Sequence, residues 1–132
     1  MIFDTHAHYD DEQFDTDREA LLASFPDQGI GCVVNVGANI ASTKASMELT
    51  ERYPFIYAAA GVHPSDVSEM DETVCDWLKA CAKQPRVVAI GEIGLDYYWD
   101  KEEAVRSSQR RWFIRQLEIA RECQLPVCIH SR

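Results

Sequence analysis

The sequence predicts an α/β fold with a parallel sheet, on two observations. Short apolar runs rich in Val, Ile and Phe alternate with longer segments of helical period, and ionisable side chains recur where the apolar runs stop. Met1 to Phe3 is the first run and reads as a short buried strand. Leu21, Leu22 and Phe25 share the face of a first helix, stopped by Gly29. Cys32 to Val36 is the second strand, and Ala41, Ala45 and Leu49 mark a helix that stops near Pro54. Phe55 to Ala60 is the third strand. Asp71 is the N-cap of a third helix whose apolar residues, Val74, Trp77, Leu78 and Cys81, fall at i, i+3, i+4 and i+7. Val87 to Ile90 is the fourth strand. Glu102 to Gln124 repeats the helical logic, with Phe113, Leu117 and Ala120 on one face, and ends before the turn at Leu125-Pro126. Val127 to Ile129 is the fifth strand, followed by His130-Ser131-Arg132.

This order gives five strands and four helices, with no helix after the last strand. A strand left that way has an open edge and an uncovered face, which natural domains avoid. The sequence therefore reads as interrupted, and self-association through exposed sheet edges is one expected way of covering them.

Composition narrows the function classes. A chain of 132 residues fits one domain, and its net charge of -9 repels phosphate backbones, so any nucleic-acid contact must be local. Bound divalent cations would supply positive charge at such a site. Five cysteines, odd in number and without a C-x-x-C pair, disfavour a disulfide framework and a zinc finger, and point to a reducing, cytoplasmic setting. The amino-terminal MIFDTHAHYD has no basic stretch or long apolar core, and no window approaches the roughly 18 apolar residues of a membrane span.

The chemistry-bearing residues sit at strand ends. His6 and His8, in Asp4-Thr5-His6-Ala7-His8, follow the first strand at i and i+2, a spacing that projects two imidazoles to one side and lets them chelate one metal ion. His63 follows the third strand in Gly61-Val62-His63-Pro64, Glu92 follows the fourth in Gly91-Glu92-Ile93-Gly94, and His130 follows the fifth. In a barrel of parallel strands these ends meet at one mouth, where active sites lie. Taken singly, each of these residues has an ordinary structural reading as a hydrogen-bonded histidine or a turn carboxylate; their common placement favours a site.

Five motifs, DTHAHYD, GVHP, AIGEIGLDYY, the QxxWFxxQLxxA segment at Gln109 to Ala120, and PVCIHSR, resemble in this order the TatD-type metal-dependent deoxyribonucleases. The resemblance implies a parallel (β/α)8 TIM-barrel of which this chain is the first half, one or two divalent metal ions (zinc, magnesium or manganese), and hydrolysis of phosphodiester bonds in DNA. By that resemblance His6 and His8 hold the first metal, Glu92 bridges two, His130 holds the second, and His63 meets the scissile phosphate or assists the leaving group. The donor types agree: imidazole suits zinc, a carboxylate spans two cations, and paired metals about 3.5 to 4 Å apart clamp an in-line displacement at phosphorus. Asp4 has two readings, a hydrogen bond to a metal-bound histidine or a strand-end cap. Asp96 and Arg132 orient ligands or meet phosphate, and Tyr97, Tyr98 and Trp99 are available to stack on an unpaired base.

A (β/α)8 barrel takes about 250 residues. The resemblance therefore also implies that a further histidine of the second metal site and a late aspartate at the first lie beyond this sequence. Two rival readings stand beside the nuclease: a metal- or partner-binding half-barrel without catalysis, and a related hydrolase cleaving an amide or ester.

Overall fold

A computed structural model describes all 132 residues. Five strands, β1 (Ile2–Ala7), β2 (Ile30–Val36), β3 (Ile56–Ala60), β4 (Val87–Leu95) and β5 (Val127–Ser131), form one parallel sheet in the order β1-β2-β3-β4-β5. Four α-helices alternate with them: α1 (Arg18–Ser24), α2 (Ile40–Arg52), α3 (Glu72–Ala82) and α4 (Glu103–Cys123). A strand order that never reverses has no switch point of the doubly wound kind, so each crossover winds the same way around the sheet. This is half of a TIM-type barrel, with β1 and β5 at its two open edges.

Helix starts follow local chemistry. Asn39 and Asp71 accept from the amides of Ser42 and Val74 at 2.8 Å each, capping α2 and α3; such a cap is worth about 1 kcal/mol. Gly29 takes φ 81° after a short 3-10 turn at Pro26–Gln28, a left-handed position that ends the first helical segment.

Two apolar clusters lie between helices and sheet. One joins Ala7, Leu22, Phe25, Val33, Leu49 and Ile56 under α1 and α2. The larger places Leu78 and Cys81 of α3 and Trp112, Ile119 and Ala120 of α4 against Ile90 and Ile93 of β4. Val34, Val36, Ala59 and Ala89 form a third cluster. Val33 and Val34 point to opposite faces because side chains alternate along a strand, so this third cluster occupies the face away from the helices.

Three details differ from the sequence reading. β1 runs on to Ala7 and β4 to Leu95, because polar residues and glycines that resemble turn formers stay in the ladder. On α2 the buried residues are Thr43, Ser46, Leu49 and Thr50, and Ala41 is exposed. On α4 Leu117 is 37 % exposed, whereas Gln109 and Gln116 are fully buried, so the inward face is rotated from the one the apolar residues suggest.

Candidate metal centre

The carboxyl ends of the strands bring the predicted residues together. Ala7 packs into the cluster beneath α1, so its neighbours His6 and His8 point to the other face, with ring centroids 5.2 Å apart. The Glu92 amide donates to the Gly37 carbonyl at 2.6 Å, and the His63 amide to the Ala38 carbonyl at 2.8 Å, so both residues are pinned to the loop after β2. The close approach of β3, β4 and β5 needs small residues: a Cβ on Gly61 would lie 2.8 Å from the Gly91 backbone, and one on Gly91 would lie 2.6 Å from Cys128 Cβ.

Glu92 is the centre of the cluster. Its side chain is buried, with Oε1 3.3 Å from His6 Nε2 and 3.2 Å from His130 Nδ1, and Oε2 3.4 Å from His8 Nε2. His6, His8 and Glu92 form one potential chelate; His63, Glu92 and His130 form a second that shares the carboxylate. The side chains of His6 and His8 are 39 % and 40 % exposed, which leaves the centre open to solvent.

Hydrogen-bond partners orient the imidazole rings. His8 Nδ1 lies 3.0 Å from the Val36 carbonyl and donates to it, which turns the Nε2 lone pair toward Glu92. His130 Nε2 lies 2.9 Å from Asp96 Oδ2 and Nδ1 lies 3.2 Å from Glu92 Oε1, so a ring that gives its proton to Asp96 offers its Nδ1 lone pair on the Glu92 side. With neutral rings of that kind two lone pairs would face the anion and repel it unless a proton or a cation lay between. A cation satisfies all three, and a histidine whose outer nitrogen donates to a carboxylate or carbonyl is the usual arrangement around a bound metal. The donor separations fit as well: ligand atoms at 2.0 to 2.1 Å from one ion sit roughly 2.9 to 3.4 Å apart, the range spanned by the Glu92 contacts.

The proton equilibria show the same demand for positive charge. Burial pushes the Glu92 carboxyl up, but the His8 hydrogen bond and the charges of His6, His63 and His8 outweigh it and hold the group at about 2. The hydrogen bond to Glu92 raises His8 above its ordinary value against the opposing effect of burial. A proton on His8 thus stands in for a cation.

His63 differs from the others. Its Nδ1 accepts the Ser65 amide at 3.0 Å, capping the 3-10 turn Pro64–Glu69, so the neutral ring carries its proton on Nε2. Burial and the neighbouring His130, whose ring centroid is 4.2 Å away, lower its pKa. A neutral N–H donor beside the cluster is suited to an anionic oxygen.

Asp4 caps the strand end, accepting the His6 amide at 3.2 Å and the Tyr9 hydroxyl at 3.4 Å, and it bonds no imidazole. Arg132 does not enter the cluster; its guanidinium lies over the Tyr98 ring at 4.1 Å. Asp96 does hold His130. A cleft of about 420 Å³ lined by Met1, Pro26, Gly29, Ile30, Gly31 and Phe55 opens at the other end of the strands and contains no ionisable side chain.

Several positioning residues escape a reading of the sequence. Gln116 accepts the Val62 amide at 2.9 Å and donates to the Val62 carbonyl at 3.1 Å, clamping the residue before His63. Gln109 accepts the Asp96 amide at 2.9 Å and donates to the Asp96 carbonyl at 3.0 Å and to Asp100 at 2.7 Å. Behind His8, buried Asn35 accepts the Tyr9 amide at 2.7 Å and donates to Asp10 and Ser46 at 2.9 and 2.8 Å. The available clue was the pair of glutamines seven apart, which places both on one helix face.

The chain is similar to several known proteins. The family profile described as TatD related DNase matches residues 3–132. An uncharacterized metal-dependent hydrolase, YabD of Bacillus subtilis, is 42 % identical over 132 residues, which are all of this chain and 51 % of that protein. The 3'-5' ssDNA/RNA exonuclease TatD of Salmonella typhimurium is 37 % identical over 131 residues, or 99 % of this chain and 50 % of that one. The crystal structure of YJJV, a TatD homolog from Escherichia coli K12, superimposes with a TM-score of 0.88 at 32 % identity, covering 99 % of this chain and 51 % of that chain. The chain spans about half the length of the relatives it matches. It belongs to the TatD-related DNase family.

Proposed function

We propose that this chain is the amino-terminal half of a single hydrolase barrel that cleaves phosphodiester bonds in single-stranded DNA with the help of divalent cations. The observation that carries the reading is the Glu92 carboxylate facing His8 Nε2 and His130 Nδ1 at 3.4 and 3.2 Å, each ring held in place by a hydrogen-bond partner on its far side. Likeness to a curated ssDNA/RNA exonuclease supports the substrate class.

In this reading His6 and His8 would hold one cation and His130 a second, with Glu92 a ligand available to either. Zinc, magnesium or manganese bound there would supply Lewis-acid stabilisation of the phosphoryl oxygens and would acidify water. The chain's own residues do the rest. Glu92 supplies the anion that gathers positive charge in the mouth of a protein carrying net charge -9. His63 donates its Nε2 proton in a hydrogen bond to a phosphate oxygen or to the departing oxygen, and its lowered pKa keeps that ring neutral and exchangeable near pH 7. Asp96 keeps the His130 ring oriented.

The remaining strands of the barrel belong, in this proposal, to a longer polypeptide, and self-association through β1 and β5 is the alternative cover for edges that expose Phe3 and Ile129. The test uses a protein of the relatives' full length carrying these residues, a 5'-labelled single-stranded oligonucleotide, and added manganese. Metal-dependent shortening that disappears in Glu92→Ala supports the proposal; an intact oligonucleotide with wild-type protein and every divalent ion tried would defeat it.

A further inference from the structure

The loop after β4 carries an aromatic pair for which the metal centre has no use. Tyr98 and Trp99 are 53 % and 67 % exposed and meet edge to face, with ring centroids 4.5 Å apart. The Arg132 guanidinium lies 4.1 Å from the Tyr98 ring centroid and 5.7 Å from that of Trp99. An exposed tryptophan, an exposed tyrosine and a guanidinium in contact form an aromatic and basic patch in a chain of net charge -9. Arg106 and Arg110 reinforce the corner, lying 4.5 Å over the Tyr97 ring and donating to the Tyr97 hydroxyl at 2.9 Å.

Its position is fixed relative to the Glu92 cluster. Asp96 accepts the Tyr98 amide through Oδ1 at 3.1 Å and His130 Nε2 through Oδ2 at 2.9 Å. The aromatic loop and the second half of the cluster therefore hang on the two oxygens of one carboxylate. The Arg132 backbone is paired to Leu95 and Tyr97 at 3.0 and 2.5 Å, which locks the guanidinium to the same corner.

We propose that Tyr98, Trp99 and Arg132 form a platform on which one unpaired nucleobase of a single-stranded polynucleotide stacks, with the guanidinium facing the adjoining phosphate. The platform is one carboxylate away from the His130 ring, so a base held there presents its neighbouring linkage to the Glu92 cluster. Every base has a π face, so the platform accepts any sequence and rejects a duplex, whose bases are already stacked. This inference rests on the proposed nuclease reading only for the identity of the ligand.

Fluorescence titration of the 132-residue chain with a ten-residue oligothymidylate, in the presence of a chelator, tests the platform without catalysis. Trp112 is buried and Trp77 half-buried, so quenching reports on Trp99. The expected result is quenching in the wild type, and in Tyr98→Ala and Arg132→Met a dissociation constant raised about tenfold, the loss of roughly one stacked base. Trp99→Ala, followed by anisotropy of a labelled oligomer, should weaken by the same factor. An abasic oligomer of equal length should bind wild type and Trp99→Ala alike. Equal affinity of wild type and Trp99→Ala for oligothymidylate, or no quenching in the wild type, overturns the platform. Because the metal is chelated, failure of the hydrolysis assay leaves this measurement untouched. Conversely, a full-length enzyme that cleaves while Trp99→Ala binds normally removes the platform alone.

Discussion

Asp96 and His130 are joined through Oδ2 and Nε2 at 2.9 Å, and this single hydrogen bond decides which nitrogen of His130 faces Glu92. Without it the imidazole keeps only its contacts with Glu92 and the His63 ring. Asp96→Ala is expected to lower divalent-metal affinity about 10- to 100-fold, the usual loss when the outer partner of a metal-binding histidine is removed. Manganese titration followed by calorimetry measures it, and an unchanged affinity would show that His130 takes no part in binding.

Gln109 and Gln116 are buried polar side chains that satisfy backbone groups of Asp96 and Val62. Replacing Gln116 with methionine keeps the bulk but orphans the Val62 amide and carbonyl. Each unsatisfied buried group costs about 1 to 3 kcal/mol, so Gln116→Met should lower stability by at least about 2 kcal/mol in urea denaturation. A shift under 0.5 kcal/mol, on the same order as a neutral surface change, would mean that water or a local rearrangement satisfies the pair.

These glutamines also show where the sequence stops being readable. The strands were legible because each buried segment is a continuous apolar run, and the site was legible because four histidines and Glu92 follow those runs at one end of the sheet. The inward face of α4 was not, since Gln109 and Gln116 look like solvent-facing residues while Leu117 looks like core. Polarity misleads wherever a side chain's partner is the backbone of a distant loop. The same holds for Asn35, which bonds Tyr9 and Asp10 of the segment after His8 and Ser46 of α2. β4 ran past its predicted end because Gly91 and Gly94 serve close strand packing, and a Cβ at Gly94 would lie 1.9 Å from the His130 carbonyl oxygen.

Asp71 was predicted as a cap from its place before an apolar period, and it accepts the Val74 amide at 2.8 Å. Asp71→Ala should cost about 1 kcal/mol without changing metal affinity, since α3 contributes no member of the cluster. Paired thermal melts and metal titrations separate the two effects; a loss of metal affinity alongside stability would tie α3 to the site.

The last expectation concerns pH. Metal binding requires an unprotonated Nε2 on His8, whose pKa is raised by its hydrogen bond to Glu92, so cations and protons compete for the same lone pair. Without metal, the protonated His8–Glu92 pair contributes stability that is fully present below about 6.5 and is lost as pH rises through the elevated folded value. Glu92, held at about 2, contributes stability present above its unfolded value and lost as pH falls toward 2. His63, whose pKa is lowered, works against folding as pH falls below 6.5, because the folded state resists taking up that proton. Added manganese should therefore raise the melting temperature more at pH 7.5 than at pH 5.5, because it restores at high pH the positive charge that protons supply at low pH. Thermal melts at both pH values, with and without excess manganese, measure the difference. An equal shift at the two pH values would mean that the cation binds away from His8.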